Sequence, residues 1–138
     1  MTGAHEHSLD SAGRLIVPAK LRDKIGSHFF LAPGTRGNIT VYTEDGWNDL
    51  KAKVAAMPVA DREEMDFFFA MAQECEVDKQ WRFPISSILK EYAGIERDVV
   101  TTGNNDLAQI WNAKMWAEKK QQGMNPANIA ALMSRMRV

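Results

Sequence analysis

Cysteine is almost missing from the sequence. Cys75 stands alone, which excludes an internal disulfide and any cysteine-rich metal set. Long apolar runs are missing as well: no stretch approaches the ~20 residues that a bilayer-crossing helix needs. The opening Met1-Thr2-Gly3-Ala4-His5-Glu6-His7 has neither the basic nor the apolar region of a secretory signal, so the expectation is a cytoplasmic protein. A surplus of charge is also lacking, since 17 Lys and Arg against 18 Asp and Glu leave a formal net charge of −1. Global attraction to nucleic acid is thereby excluded, and any such binding has to come from a local basic patch. No Ser-His-Asp order, phosphate loop or paired-carboxylate signature stands out. The chain reads as a non-enzyme without a cofactor.

What is present describes an ordinary folded chain. Its 138 residues make one domain, or two small halves sharing a core. Hydrophobic residues at 45% and charged ones at 25% are typical of a soluble globular protein. The charge is unevenly spread. Residues 61–78 hold seven acids against Arg62, and residues 113–138 hold five bases against Glu118. Such an imbalance suits subunit pairing as well as ligand steering.

Residues 8–22, Ser-Leu-Asp-Ser-Ala-Gly-Arg-Leu-Ile-Val-Pro-Ala-Lys-Leu-Arg, organise the rest. A strand over 4–9 runs into a turn opened by Asp10 and closed by Gly13, followed by a strand over 14–17. Pro18 stops that strand and starts a brief helix ending at Gly26. Strands at 29–32 and 39–42 follow. Thr43 then has the place of an N-cap for a helix through Trp47, Leu50 and Val54 that Pro58 ends. Asp61 and Glu64 have capping-box spacing for another helix through Met65, Phe68 and Phe69.

The order then starts over. Asp10 matches Asp78, Arg14 matches Arg82, Leu21 matches Leu89 and Gly26 matches Gly94, all 68 residues apart. After one inserted residue, Val41, Tyr42 and Trp47 match Ile110, Trp111 and Trp116 at 69. A two-copy repeat of this period predicts a pseudo-twofold domain rather than a solenoid, which needs three or more repeats. Its parts are a first half over 1–57, a linking helix over 58–72, a second half over 73–122 and a C-terminal amphipathic helix over 123–138. In the last of these, Asn125-Pro126 is an N-cap followed by Pro at N1, and Ile129, Leu132, Met133 and Met136 share one face. That stripe has to be covered by its own domain or by a neighbouring subunit.

Nearly all of residues 4–120, through Leu9-Asp10-Ser11-Ala12-Gly13-Arg14-Leu15-Ile16-Val17-Pro18 and the second copy around Asp78, Arg82 and Leu89–Gly94, resembles the MraZ family. This is a bacterial branch of the AbrB/SpoVT-like swapped-hairpin DNA-binding group. The resemblance implies an α+β fold: a pseudo-twofold, swapped-hairpin β-barrel with short helices. It also implies a cytoplasmic, nucleoid-associated transcriptional regulator that binds double-stranded DNA. Its targets would be short G-rich direct repeats in the promoter of the division and cell-wall gene cluster, bound by a homo-oligomeric ring. Departures are visible: Ala12 stands where relatives often carry Lys, Trp81 at the position of Gly13, and Ser86 at that of Pro18. Trp is a poor occupant of a position that needs positive φ.

The candidate DNA-binding residues are therefore Arg14, Gly13, Ala12, Lys20, Arg22 and, last among them, Arg82. Arginine on a hairpin can grip guanine O6 and N7 with two hydrogen bonds; the plain alternative is that Arg14 pairs with Asp10 or Asp78 and braces the turn. Lys20 and Arg22 read as phosphate-positioning charges or as a solvated helix face. Arg82 reads as structural, and Asp10 and Asp78 as turn residues. His5 and His7 share a strand face but lack a third ligand nearby, so no metal is expected. Cys75 sits among acids in a core-facing strand, a poor setting for a thiolate nucleophile. Two other readings stand beside the regulator: a ring-forming protein-interaction module with reduced DNA binding, and an antitoxin-like AbrB module.

Overall fold

The computed structural model describes residues 1–138. In the first copy, β1 (Ala4–Ser8) leads through the Asp10–Gly13 turn into β2 (Arg14–Ile16). A 3-10 turn at Ala19–Leu21 runs on into α1 (Arg22–Ile25), then β3 (His28–Pro33) and β4 (Ile39–Thr43) follow. Thr43 caps α2 (Glu44–Ala55) by accepting from the Gly46 amide, as its side chain allows. The link α3 (Val59–Met71) precedes the second copy: β5 (Gln73–Glu76), β6 (Arg82–Pro84), α4 (Ser87–Ala93), β7 (Asp98–Asn104), β8 (Leu107–Asn112) and α5 (Ala113–Gly123). Asn112 caps α5, and Asn125 caps α6 (Pro126–Met136) with Pro126 in its first turn.

Two boundary expectations are corrected. α2 ends at Ala55, and Pro58 begins α3 as its N-cap residue rather than ending α2. Asp61 and Glu64 therefore lie inside α3 and form no capping box. Pro58 itself makes no side-chain cap bond, so Asp61 aids the helix start through its charge near the N-terminal dipole. In the second copy Ser86, at the position of Pro18, accepts from the Leu89 amide. The lost proline is thus replaced by a side-chain cap.

Six strands form one antiparallel sheet in the order β1-β7-β8-β4-β3-β5, and β2 pairs with β6 as a separate ribbon. This order is a palindrome of the duplication, with β1 equivalent to β5, β7 to β3 and β8 to β4. The register places its axis. Thr40 pairs with Gln109, its own equivalent at a spacing of 69, and Leu15 pairs with Phe83, its own equivalent at 68. Each copy lends strands to the other: β1 pairs with β7, and β5 pairs with β3. By hydrogen bonding the sheet is open, with β1 and β5 at its edges, and the ribbon packs on its face rather than closing it into a barrel.

That face carries the main core. Leu15, Val17, Phe83 and Ile85 from the ribbon side meet Phe29, Leu31, Val41 and Ile110 of the sheet, all buried. Phe29 and Phe83 contact edge to face with ring centroids 5.0 Å apart. On the opposite face Phe30 stacks on Trp47 at 4.7 Å, and Trp47 in turn receives Phe68 and Phe69 of α3. Trp111 is fully buried, donates from Nε1 to Thr102 Oγ1 at 3.1 Å and packs beside Trp116. The tryptophans that recur with the repeat are thus packing residues.

Candidate nucleic-acid interface

Both turns solve the same local problem in the same way. The Asp10 carboxylate accepts from the Ala12 and Arg14 amides, each at 2.9 Å, and its second oxygen accepts from Arg14 Nε at 2.9 Å. The Asp78 carboxylate accepts from the Gln80 and Arg82 amides at 2.9 Å and from Arg82 Nε at 2.8 Å. Donation from the Arg14 backbone leads the effects that hold the Asp10 carboxyl below its ordinary range, and the Arg82 backbone does the same for Asp78. The chain must pass through the left-handed region to close each turn: Gly13 has φ 75° and Trp81 has φ 61°. Trp is accordingly held in a conformation that Gly adopts freely.

The turns lead into the ribbon, where alternation sorts the side chains. Leu15 and Phe83 point into the core, so Arg14, Ile16, Arg82 and Pro84 line the outer face. Arg14 and Arg82 lie diagonally to either side of the Leu15–Phe83 pair, with side chains 35% and 29% exposed. Arg14 also approaches the opposite turn, its Nη1 standing 4.0 Å from Asp78 Oδ2. The aspartates engage the Nε edge of each guanidinium and leave further N–H donors of the fork to other acceptors. The bracing expected as the plain alternative for Arg14 is therefore present, and it aims the group rather than burying it.

The flanking cations are exchanged between copies. Arg22 lies over the Trp81 ring at 5.3 Å and donates from Nε to the Val17 carbonyl at 3.1 Å, so it attends the second turn and not the first. Its equivalent 68 residues on, Lys90, takes the corresponding place at the first turn: a methyl group on Gly13 would lie 3.6 Å from Lys90 Nζ. A concavity of about 710 Å³ there is lined by Asp10, Ala12, Gly13, Lys90 and Arg97 among others. Lys90 escaped the sequence reading, although the spacing that pairs Arg22 with Lys90 was the signal for it. Lys20 stands apart from both turns, exposed beside His5, His7 and Ile16. Ala12 is exposed at the first turn, where its amide serves Asp10.

His7 Nε2 lies 2.7 Å from Thr101 Oγ1, and burial first, then the nearby His5, lowers its pKa. No three side chains among His, Cys, Asp and Glu are grouped to hold a metal ion. Burial, with the Glu74 charge beside it, pushes the Cys75 thiol up to about 12. No helix is long and apolar enough to cross a membrane.

Fold and site together define a tandemly duplicated α+β protein that presents two Asp-turn-Arg units on one shared two-stranded ribbon. Comparison with known families agrees with that duplication: the family described as "MraZ protein, putative antitoxin-like" matches residues 1–67 and again residues 68–136. The chain belongs to the MraZ family. The transcriptional regulator MraZ of Clostridium beijerinckii is 38% identical over 135 residues, covering 96% of this chain and 95% of that protein. The one from Caldanaerobacter subterraneus is 40% identical over 121 residues, covering 86% and 85%. That of Lactiplantibacillus plantarum is 39% identical over 119 residues, covering 84% of each. These relatives are named as regulators of transcription, not as enzymes.

Proposed function

We propose that this chain is a sequence-specific transcriptional regulator that binds double-stranded DNA through the outer face of the β2–β6 ribbon. The observation that carries the reading is the pair Arg14 and Arg82, displayed on one two-stranded ribbon and oriented by Asp10 and Asp78. A B-form major groove, ~12 Å wide, admits such a ribbon, and arginine is the usual partner of guanine there. Arg14 reads bases; Gly13 and Ala12 shape the approach of the backbone. Lys90, Arg22 and Lys20 position phosphates, and Arg82 is the weaker reader because Trp81 and Arg22 crowd its turn. The names of the relatives support the same reading.

One ribbon makes few base contacts, so useful affinity calls for several subunits on spaced sites, where effective concentration multiplies weak contacts. Membership of the MraZ family implies the rest of the assignment: a homo-oligomeric ring acting on promoter direct repeats of a division and cell-wall gene cluster, within the cytoplasm and its nucleoid. The two halves over 1–57 and 73–122, joined by 58–72, then form one reading head, with 123–138 outside it. Gel shift on the DNA upstream of the chain's own gene tests the assignment. Arg14→Ala should abolish the shift while circular dichroism stays unchanged; retained binding by that variant overturns it.

One observation favours a second reading. Each ribbon arginine already has a carboxylate partner, and the chain carries no net positive charge. A protein-interaction module, antitoxin-like in the sense of the family description, fits those facts. Absence of any shift by the wild-type chain, together with a partner protein bound through the same ribbon, would select it.

A further inference from the structure

The outer face of the β2–β6 ribbon presents four side chains, and the two arginines are only one diagonal of it. Arg14 stands across from Pro84, and Ile16 stands across from Arg82. Ile16 and Pro84 are themselves equivalent, 68 residues apart. The pseudo-twofold axis therefore exchanges Arg14 with Arg82 and Ile16 with Pro84. Two arginines alone would present the same face in either direction. Ile16 and Pro84 differ in shape and reach, so the second diagonal gives that face a direction.

Ile16 is open where its neighbours are closed. Leu15 and Val17 are 1% and 2% exposed, whereas Ile16 is 46% exposed. A strand preference does not call for an apolar tip in water, because Thr would serve the strand and keep a hydroxyl there. On this face Ile16 lies about 5 Å across the ribbon from Arg82 and about 7 Å along β2 from Arg14. The second spacing matches two base pairs at the ~3.4 Å rise of a duplex. Ile16 also borders a groove of about 430 Å³ whose lining includes Lys20. It thus sits between arginines suited to base edges and a lysine suited to a phosphate. The apolar group that a major groove offers at a base edge is the C5 methyl of thymine.

We infer that Ile16 is a specificity-determining residue: its exposed side chain packs on the C5 methyl of a thymine within two base pairs of the guanine that Arg14 reads. The inference rests on the DNA reading proposed above and adds to it a base that neither arginine selects. A guanidinium recognises guanine O6 and N7 and gains nothing from a methyl group. Uracil in place of thymine keeps O4 and the base pairing and removes the methyl alone.

Thymine against deoxyuridine therefore tests it. Titrated gel shifts use the duplex upstream of the chain's own gene, made with thymine throughout or with deoxyuridine throughout. The wild-type chain should bind the deoxyuridine duplex about fourfold more weakly for each methyl contacted, the effect of one buried CH₂-sized group. A random duplex should show no such preference. Ile16→Ser and Ile16→Asn alter an exposed position and should keep the wild-type circular dichroism. Each should bind the thymine and deoxyuridine duplexes alike. Equal binding of both by the wild type overturns the inference alone. So does a thymine preference that survives in both variants or appears equally on random DNA. A wild-type chain that shifts neither duplex overturns the DNA reading itself, which Arg14→Ala judges separately.

Discussion

Trp81 holds the same left-handed backbone position as Gly13, at φ 61° against 75°, in the second of two otherwise matching turns. Its ring is partly buried against the core and lies under the Arg22 guanidinium, 5.3 Å away. The second turn therefore exchanges backbone ease for side-chain contact. Gly13→Ala should lower stability by about 1–2 kcal/mol, the conformational cost of a side chain in that region, because the added methyl meets only Lys90 Nζ at 3.6 Å. Trp81→Gly removes the strain but also the ring, and lost burial of roughly 2 kcal/mol or more outweighs the relief. Both variants should unfold at lower urea than the wild type; a more stable Trp81→Gly chain would show that the ring contributes less than the strain it imposes.

The turn aspartates make the ribbon sensitive to acid. Their folded pKa values lie below the ordinary 3.8, chiefly through the Arg14 and Arg82 amides. The carboxylates thus contribute stability that is present above that value and lost as pH falls through the depressed ones. Carboxyl titration by NMR should place both midpoints below 3.8. Asp10→Asn should flatten the acid limb of the stability curve, and an unaltered limb would exclude Asp10 from it.

His28 behaves in the opposite sense. Hydrogen bonding to Glu44 is the leading cause that raises its pKa above 6.5, and Glu74 stands 3.5 Å from the other ring nitrogen. Its ion pairs contribute fully below 6.5 and are lost as pH rises through the raised folded value. Imidazole proton shifts should titrate above 6.5 in the wild type and nearer to it in Glu44→Gln. Equal midpoints in the two chains would mean that Glu44 does not hold the proton there.

Lys90 offers a measurement that separates a phosphate contact from a base contact. Lys90→Ala should weaken DNA binding by a similar factor on every sequence and reduce the slope of log K against log salt by about 1, the release of one counterion. Arg14→Ala should instead erase the difference between target and random DNA. An unchanged slope for Lys90→Ala would confine that residue to shaping the turn.

Much of the chain was legible residue by residue because its determinants are local. The caps at Thr43, Asn112 and Asn125 are where hydroxyl and amide side chains reach the next turn of backbone. The Asp-turn-Arg units are legible for the same reason, and their recurrence at 68 residues announces the duplication. Pro58 and the Asp61–Glu64 spacing misled, because α3 starts at Pro58 without a side-chain cap, and α3 packs on Trp47 through Phe68 and Phe69.

By itself, then, the sequence determined the two copies, their turns, their helix starts and the apolar stripe of α6. Each of these depends on groups a few bonds or one helical turn apart. Only the tertiary structure decided that Leu15 faces Phe83, that the copies lend each other strands, and that Arg22 attends the second turn while Lys90 attends the first. Strand pairing across some 68 residues is chosen by how two apolar faces close one core, and no short-range preference of the chain encodes that choice.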